Sequence, residues 1–249
     1  MVRYMTSFLL TILAGLSTMI GTIPIFLKRR SENLLISSLG FAAGVMVTIS
    51  ISDLLPSSFS SLMESFVFLP AFLIASICLC LGVVFSFSID KYLPQDTFNY
   101  GKLYHVGIIS CLAIIMHNIP EGILTYLTST ADFRLGITLA LAIALHNIPE
   151  GISISVPIYY STGSRKRALF YTFISGISEP FGAVLAALFL APFVNATIMG
   201  ILYAFIAGIM IHISIYELLN ESCSYNKIFL TILSFIFGSI FMLFGHFMF

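Results

Sequence analysis

Charged side chains are scarce in this chain: they make up 9% of its 249 residues, against 59% hydrophobic, with a mean hydropathy of +1.05. That composition excludes an ordinary soluble domain. The eleven basic and eleven acidic residues cancel, and no basic stripe is long enough to hold nucleic acid. Cysteine is nearly absent. Cys78, Cys80, Cys111 and Cys223 lack a clustered spacing, which excludes a zinc finger and a disulfide framework and leaves packing as their role. No Gly-rich phosphate loop of the Walker type occurs, so nothing points to ATP as a driving force.

What fills the chain instead is apolar. A membrane span needs about 20 mostly apolar residues. Eight runs reach that length, near 5–27, 34–55, 67–89, 104–127, 134–158, 168–190, 196–218 and 228–248. The connections are short, so residues 1–249 read as one integral membrane domain, all-α and polytopic. The first run leads straight into further spans and is expected to be a span itself, not a signal peptide. Lys and Arg set the orientation. Lys28, Arg29, Arg30, Lys91, Lys102, Arg165, Lys166, Arg167 and Lys227 fall on one side, and only Arg3 and Arg134 fall on the other. The first side is expected to be cytoplasmic, which leaves both termini outside.

The chain repeats itself. Residues 43–55, AGVMVTISISDLL, return at 207–219 as AGIMIHISIYELL, a shift of 164 in which Asp53 becomes Glu217. A weaker echo pairs Gly15 and Gly21 with Gly176 and Gly182, and sets Thr18 opposite Glu179. Runs one to three therefore correspond to runs six to eight. Three is odd, so the second copy enters from the opposite side. This is an inverted repeat around a central pair, runs four and five. Inverted repeats with broken helices at the midplane are characteristic of transporters.

The central pair carries the chemistry. His117-Asn118-Ile119-Pro120-Glu121-Gly122 recurs as His146-Asn147-Ile148-Pro149-Glu150-Gly151, 29 residues later, and ten of the twelve positions in 112–123 and 141–152 are identical. On a helix, His and Glu at i and i+4 share a face, and the Asn lies three residues before the Glu. Each copy can offer an imidazole nitrogen, an amide oxygen and a carboxylate, which suits a borderline divalent cation such as zinc or iron. Ionisable groups inside a bilayer are costly and mark ion pathways. Pro120, Pro149 and Pro180 each abut a carboxylate, Glu121, Glu150 and Glu179. They free the carbonyls of Met116, Leu145 and Gly176, which then need another partner in lipid.

Other polar positions carry less. Glu179 is the only acid in its run and is expected to join the site. Asp53 and His212 lie nearer span ends, where an interfacial hydrogen-bonding role competes with a metal relay. Met46 and Met210 sit among small residues where helices pack closely, and filling gaps competes with thioether ligation. His105 and Asp90 flank a cytoplasmic loop where they could receive an exiting ion, although solvated surface is the simpler reading. His246 reads as structural.

The two HNIPEG segments, SGISEP and AAGVMVTISISDLLP together resemble the ZIP (Zrt-, Irt-like) metal transporters, over essentially the whole chain. The resemblance implies eight helices, a binuclear site between the fourth and fifth, and uptake of Zn2+ through the cell inner membrane, with tolerance for Fe2+ and, among other divalent ions, Mn2+ and Cd2+. It implies His117, Asn118, Glu121, His146, Asn147, Glu150 and Glu179 as ligands, with Met46 matching a methionine ligand of some members. Divalent ions and the lipid bilayer are the partners it implies; a homodimer is compatible with it, and no resident cofactor is expected. The loop between the third and fourth runs lacks the His-rich tract of many eukaryotic members, so regulation through that loop is not expected.

The competing class is an intramembrane metalloenzyme. A protease motif HExxH would place a general base beside the first histidine, but Asn118 and Asn147 stand there. The Glu-x-x-His order of di-iron bundles is absent from these segments. A passive channel would need a ring of identical acids from several subunits, which the internal repeat argues against. The charge count favours transport. Three carboxylates nearly balance two divalent ions, the amides add oxygen without charge, and carboxylates left crowded after metal release favour proton uptake.

Overall fold

The computed structural model describes residues 2–27, 31–92, 101–190, 193 and 195–248. Lys28, Arg29 and Arg30 of the orientation argument lie outside the described residues, as does the side chain of His246. Among the described residues eight helices are long and apolar enough to cross a membrane. They are α1 (Arg3–Phe26), α2 (Glu32–Met63), α3 (Phe68–Tyr92), α4 (Gly101–Ala131), α5 (Phe133–Thr162), α6 (Arg165–Phe189), α7 (Ala196–Cys223) and α8 (Ile228–Gly245). No strand interrupts them among the described residues. The eight runs of the sequence are recovered, and the helices extend past most of the run ends into polar residues.

Local chemistry sets the joints. A single residue, Asp132, separates α4 from α5. Its carboxylate accepts from the backbone N–H of Arg134 at 2.8 Å and of Leu135 at 3.2 Å, satisfying orphan donors of the first turn. Gly163 ends α5 at φ 70°, the left-handed cap conformation that glycine adopts without steric penalty. Ser164 caps α6 through the N–H of Arg167, and Asn195 caps α7 through that of Ile198.

The helices are not broken where the prolines stand. α4, α5 and α6 run through Pro120, Pro149, Pro157 and Pro180 as α-helix. Each proline removes one hydrogen bond, whereas a full break would expose many backbone groups to lipid. Irregular backbone appears elsewhere. Thr18–Phe26 of α1 is a 3₁₀ segment, in which Thr18 and Thr22 hydroxyls donate to the carbonyls three residues back. Ser50–Leu54 of α2 and Ile213–Leu219 of α7 are π-helical. Ser50 donates to the Met46 carbonyl and Ser214 to that of Met210, each four residues back. These serines are equivalents in the internal repeat, so the same local bond loosens the ladder at the same place in both copies.

Packing divides the helices into two groups. α1 meets α6 at Gly15 and Gly176, α1 meets α5 at Gly21 and Gly151, and α4 meets α6 at Gly122 and Gly182. The other group closes at Gly44 and Gly238 between α2 and α8, and at Gly82 and Gly208 between α3 and α7. At these points an added Cβ would run into the neighbour's backbone. Among the described residues no such contact joins a helix of the set α1, α4, α5, α6 to one of the set α2, α3, α7, α8. The seam between the sets is aliphatic instead, with Leu39, Met46 and Ile49 packing in one cluster with Ile154, Ile158, Ile109, Ile206 and Ile213. α4 is the most enclosed helix, and α3 and α8 present mostly exposed apolar faces, as lipid-facing helices do.

Candidate metal centre

α4 and α5 run antiparallel after the Asp132 turn and carry their hexapeptides to the same depth. His117, Asn118, Glu121, His146, Asn147 and Glu150 are all buried, and Glu179 of α6 is fully buried beside them. The expected i,i+4 pairing holds on α4, where His117 Nε2 lies 3.0 Å from Glu121 Oε1. The other close contacts cross between the helices. His146 Nε2 lies 3.1 Å from the same Glu121 oxygen, and His117 Nε2 lies 3.5 Å from Glu150 Oε1. The two imidazoles lie side by side, tilted by 49°, with centroids 6.1 Å apart. Glu121 is therefore the hub, shared by both histidines.

The amides are oriented by their donor ends. Asn118 Nδ2 donates to the Ser175 carbonyl of α6 at 3.0 Å. Asn147 Nδ2 donates to the Ala14 carbonyl of α1 and to Glu179 Oε2, both at 2.9 Å. With the nitrogens anchored, Oδ1 of each amide is left as a buried acceptor without a protein partner. Glu121 Oε2, both oxygens of Glu150 and Glu179 Oε1 are in the same position. Buried acceptors of this kind are costly unless something is bound to them. The unmet atoms are oxygens, with two imidazoles alongside, and that donor set fits a divalent cation.

A family model described as ZIP zinc transporter matches residues 93–246. The chain belongs to the ZIP family. It is 39% identical to the zinc transporter ZupT of Campylobacter jejuni over 255 residues, covering 88% of each chain. It is 40% identical to the zinc transporter ZupT of Akkermansia muciniphila with 94% of each chain covered, and 36% identical to that of Streptococcus mutans with 95% covered. As a ZIP protein it is a membrane transporter and not an enzyme, which answers the metalloenzyme alternative.

The remaining candidates of this ZIP chain separate by position. Asp53 lines a cavity of about 360 Å³ together with His146, Thr128, Leu135, Thr138 and Met242. At ~30 Å³ per water, that is room for a hydrated divalent ion. The cavity runs from His146 toward the Asp132 turn, where Thr128 and Leu135 line it. Met46 and Met210 are fully buried in the main apolar cluster, where they fill the seam between α2 and α7 and the central helices. His212 bonds Ser86 of α3 at 2.9 Å and stacks on Tyr216, so a hydrogen-bonded role accounts for it. His105 and Asp90 are not solvated surface: His105 is buried and its Nε2 lies 2.6 Å from Asp90 Oδ1. The four cysteines are free, consistent with packing. Sequence reasoning did not foresee Glu217 as a partner of that pair. The repeat matches Glu217 with Asp53 and gives no sign of this meeting.

Proposed function

We propose that this chain carries Zn2+ into the cytoplasm, and accepts Fe2+ and other divalent ions, through a site made of His117, Asn118, Glu121, His146, Asn147, Glu150 and Glu179. The observation that carries the reading is the convergence of seven buried side chains from α4, α5 and α6 that leave six acceptor oxygens without a hydrogen-bond donor. Its relatives named zinc transporters support zinc as the main cargo. Two zinc ions against three carboxylates leave a nearly balanced charge, so the loaded site can pass through a low-dielectric region.

The route has two ends. Metal reaches His146 through the cavity past Asp53, from the side expected to be extracytoplasmic. The site helices α4, α5 and α6 belong with α1 to one glycine-joined group, and the seam against the other group lacks such contacts. That arrangement supports movement of the site-bearing group as a body against α2, α3, α7 and α8. Flux into proteoliposomes tests the proposal, with Zn2+, Fe2+, Mn2+ and Cd2+ offered singly and in competition. Zinc accumulation that is lost in Glu150→Ala, with the variant still folded, is the expected result. Wild-type zinc flux from that variant would refute the site.

A further inference from the structure

The central cluster has a two-fold likeness that extends beyond the hexapeptides, and it fails at one position. Asn118 Nδ2 of α4 donates to the Ser175 carbonyl of α6, and Asn147 Nδ2 of α5 donates to the Ala14 carbonyl of α1. Ser175 and Ala14 directly precede the matched glycines Gly176 and Gly15. The close approaches repeat in the same way. A Cβ added at Gly122 of α4 would meet the Glu179 carbonyl, and one at Gly182 of α6 would meet that of Ile119. On the other side, Gly151 of α5 faces the Thr18 carbonyl in this way and Gly21 of α1 that of Ile148. Where α1 crosses α6, a Cβ at Gly15 would meet Glu179 Cβ at 3.1 Å and one at Gly176 would meet Thr18 Cβ at 3.4 Å. The pair α4 and α6 thus maps onto the pair α5 and α1, and Glu179 maps onto Thr18.

The likeness ends at those two side chains. Asn147 Nδ2 has a second partner, Glu179 Oε2 at 2.9 Å. The matching partner of Asn118 would come from position 18, but α1 has no acidic residue. Thr18 is fully buried, and its hydroxyl donates to the Gly15 carbonyl of its own helix at 2.8 Å. The helix directions say which half lacks the acid. α1 runs parallel to α5, because Ser17 donates to the Ala144 carbonyl at 3.0 Å and Ser155, further along, donates to the Gly21 carbonyl at 2.8 Å. α6 follows the Gly163 turn and runs back toward the Asp132 end. Three residues past the crossing, at about 1.5 Å each, Glu179 lies about 4.5 Å toward the Asp132 end and Thr18 about as far the other way. The cavity reaches His146 from the Asp132 end. The acid therefore stands on the cavity side and the threonine on the side expected to face the cytoplasm.

We propose that Thr18 sets the release side of the central site: it withholds a carboxylate at the mirror position of Glu179, and so keeps the inner half weak enough to let its ion go. The inference rests on the transport reading given above. Thr18 is not a ligand in this account. It tunes the half built on His117 and Asn118 by leaving it one charge poorer than the half built on His146 and Asn147. An ion that moves inward through the cluster loses an anionic neighbour on the way. A fourth carboxylate would balance two divalent ions fully and hold them equally on both sides, which favours occupancy over discharge.

Thr18→Glu in the full chain tests the assignment, with Zn2+ as the probe in calorimetry and in proteoliposome flux. Zinc affinity should rise by about tenfold or more, because a unit charge a few ångströms from a divalent ion is worth that much even when well screened. Maximal flux should fall at the same time. A damaged fold weakens binding, so tighter binding with slower turnover is not a sign of damage. Thr18→Gln has the length of Glu without its charge and should not tighten binding. Circular dichroism checks each variant, and Thr18→Asp serves if Thr18→Glu does not fold. A folded acidic variant with unchanged or weaker zinc affinity, or with undiminished flux, overturns the proposal, as does equal tightening by Thr18→Gln. Failure of both acidic variants to fold overturns it too, because the mirror position would then have no room for the acid. Wild-type protein that neither binds nor carries zinc would instead remove the central site itself, so the two failures are distinguishable.

Discussion

Glu121→Gln is the most revealing single change, because one oxygen of Glu121 lies 3.0 Å from His117 Nε2 and 3.1 Å from His146 Nε2. The substitution keeps the side-chain volume and removes the charge. Losing one partner of a buried ionic contact costs about 3–5 kcal/mol, and each 1.4 kcal/mol is about a factor of ten in affinity. Zinc binding should therefore weaken about 100- to 4,000-fold. The amide can still fill the space between the imidazoles, so the helices should stay assembled. Calorimetric titration of the purified chain gives the affinity, and proteoliposome flux gives the transport rate at saturating zinc. Circular dichroism on the same sample checks the fold. Unchanged zinc affinity in a folded Glu121→Gln protein would refute the hub role and the central site with it.

Three further outcomes follow from the same geometry. Asn147→Asp should be more damaging than Asn118→Asp, because Asn147 Nδ2 donates to Glu179 Oε2 at 2.9 Å and an aspartate there would set two carboxylates against each other; Asn118→Asp should chiefly shift preference toward harder ions, and an unchanged ion ranking in both variants would count against the amides as ligands. Gly21→Ala places a methyl against the Ile148 carbonyl and Gly151, so it should lower thermal stability by about 1–3 kcal/mol; a wild-type melting profile would show that α1 and α5 can part at no cost. Metal binding needs neutral imidazoles and ionised carboxylates, and free imidazole titrates near about 6.5, so apparent zinc affinity should fall as pH drops from about 7.5 to about 6. Calorimetry in two buffers of different ionisation enthalpy should detect proton release, and buffer-independent heats would contradict it.

The spans and the seven polar side chains of the central cluster were legible because each rests on a local regularity. Length and hydropathy mark a helix that must satisfy its backbone in lipid, and a repeated hexapeptide marks its own chemistry. The cross-pairing of His146 with Glu121 and of His117 with Glu150 was not legible. Periodicity says which residues share a face, and only the approach of α5 to α4 decides which residues that face meets. Pro120, Pro149 and Pro180 marked freed carbonyls, but the sequence did not show whether the helices continue through them, as α4, α5 and α6 do. The π segments had a visible cause in Ser50 and Ser214, yet a serine bonding four residues back is common in ordinary helices. Glu217 was recognised as the match of Asp53, but its meeting with Asp90 and His105 depends on how α3, α4 and α7 converge.

The one-residue turn at Asp132 has a consequence for how the ion leaves. It ties α4 to α5 at one end, and the approach of Gly107 to Ile158 holds them close near the other. In the proposed site the two hexapeptides are thus the arms of a single chelator, each presented to the other at a high effective concentration that no diffusion step must supply. A ligand set tethered in this way does not discharge its ion by opening between its arms, because a released arm rebinds before the ion escapes. Discharge has to come from a change in what surrounds the chelator. Water admitted at the far side, a proton taken by a carboxylate or a competing ligand there can each do this while the α4–α5 hairpin stays closed.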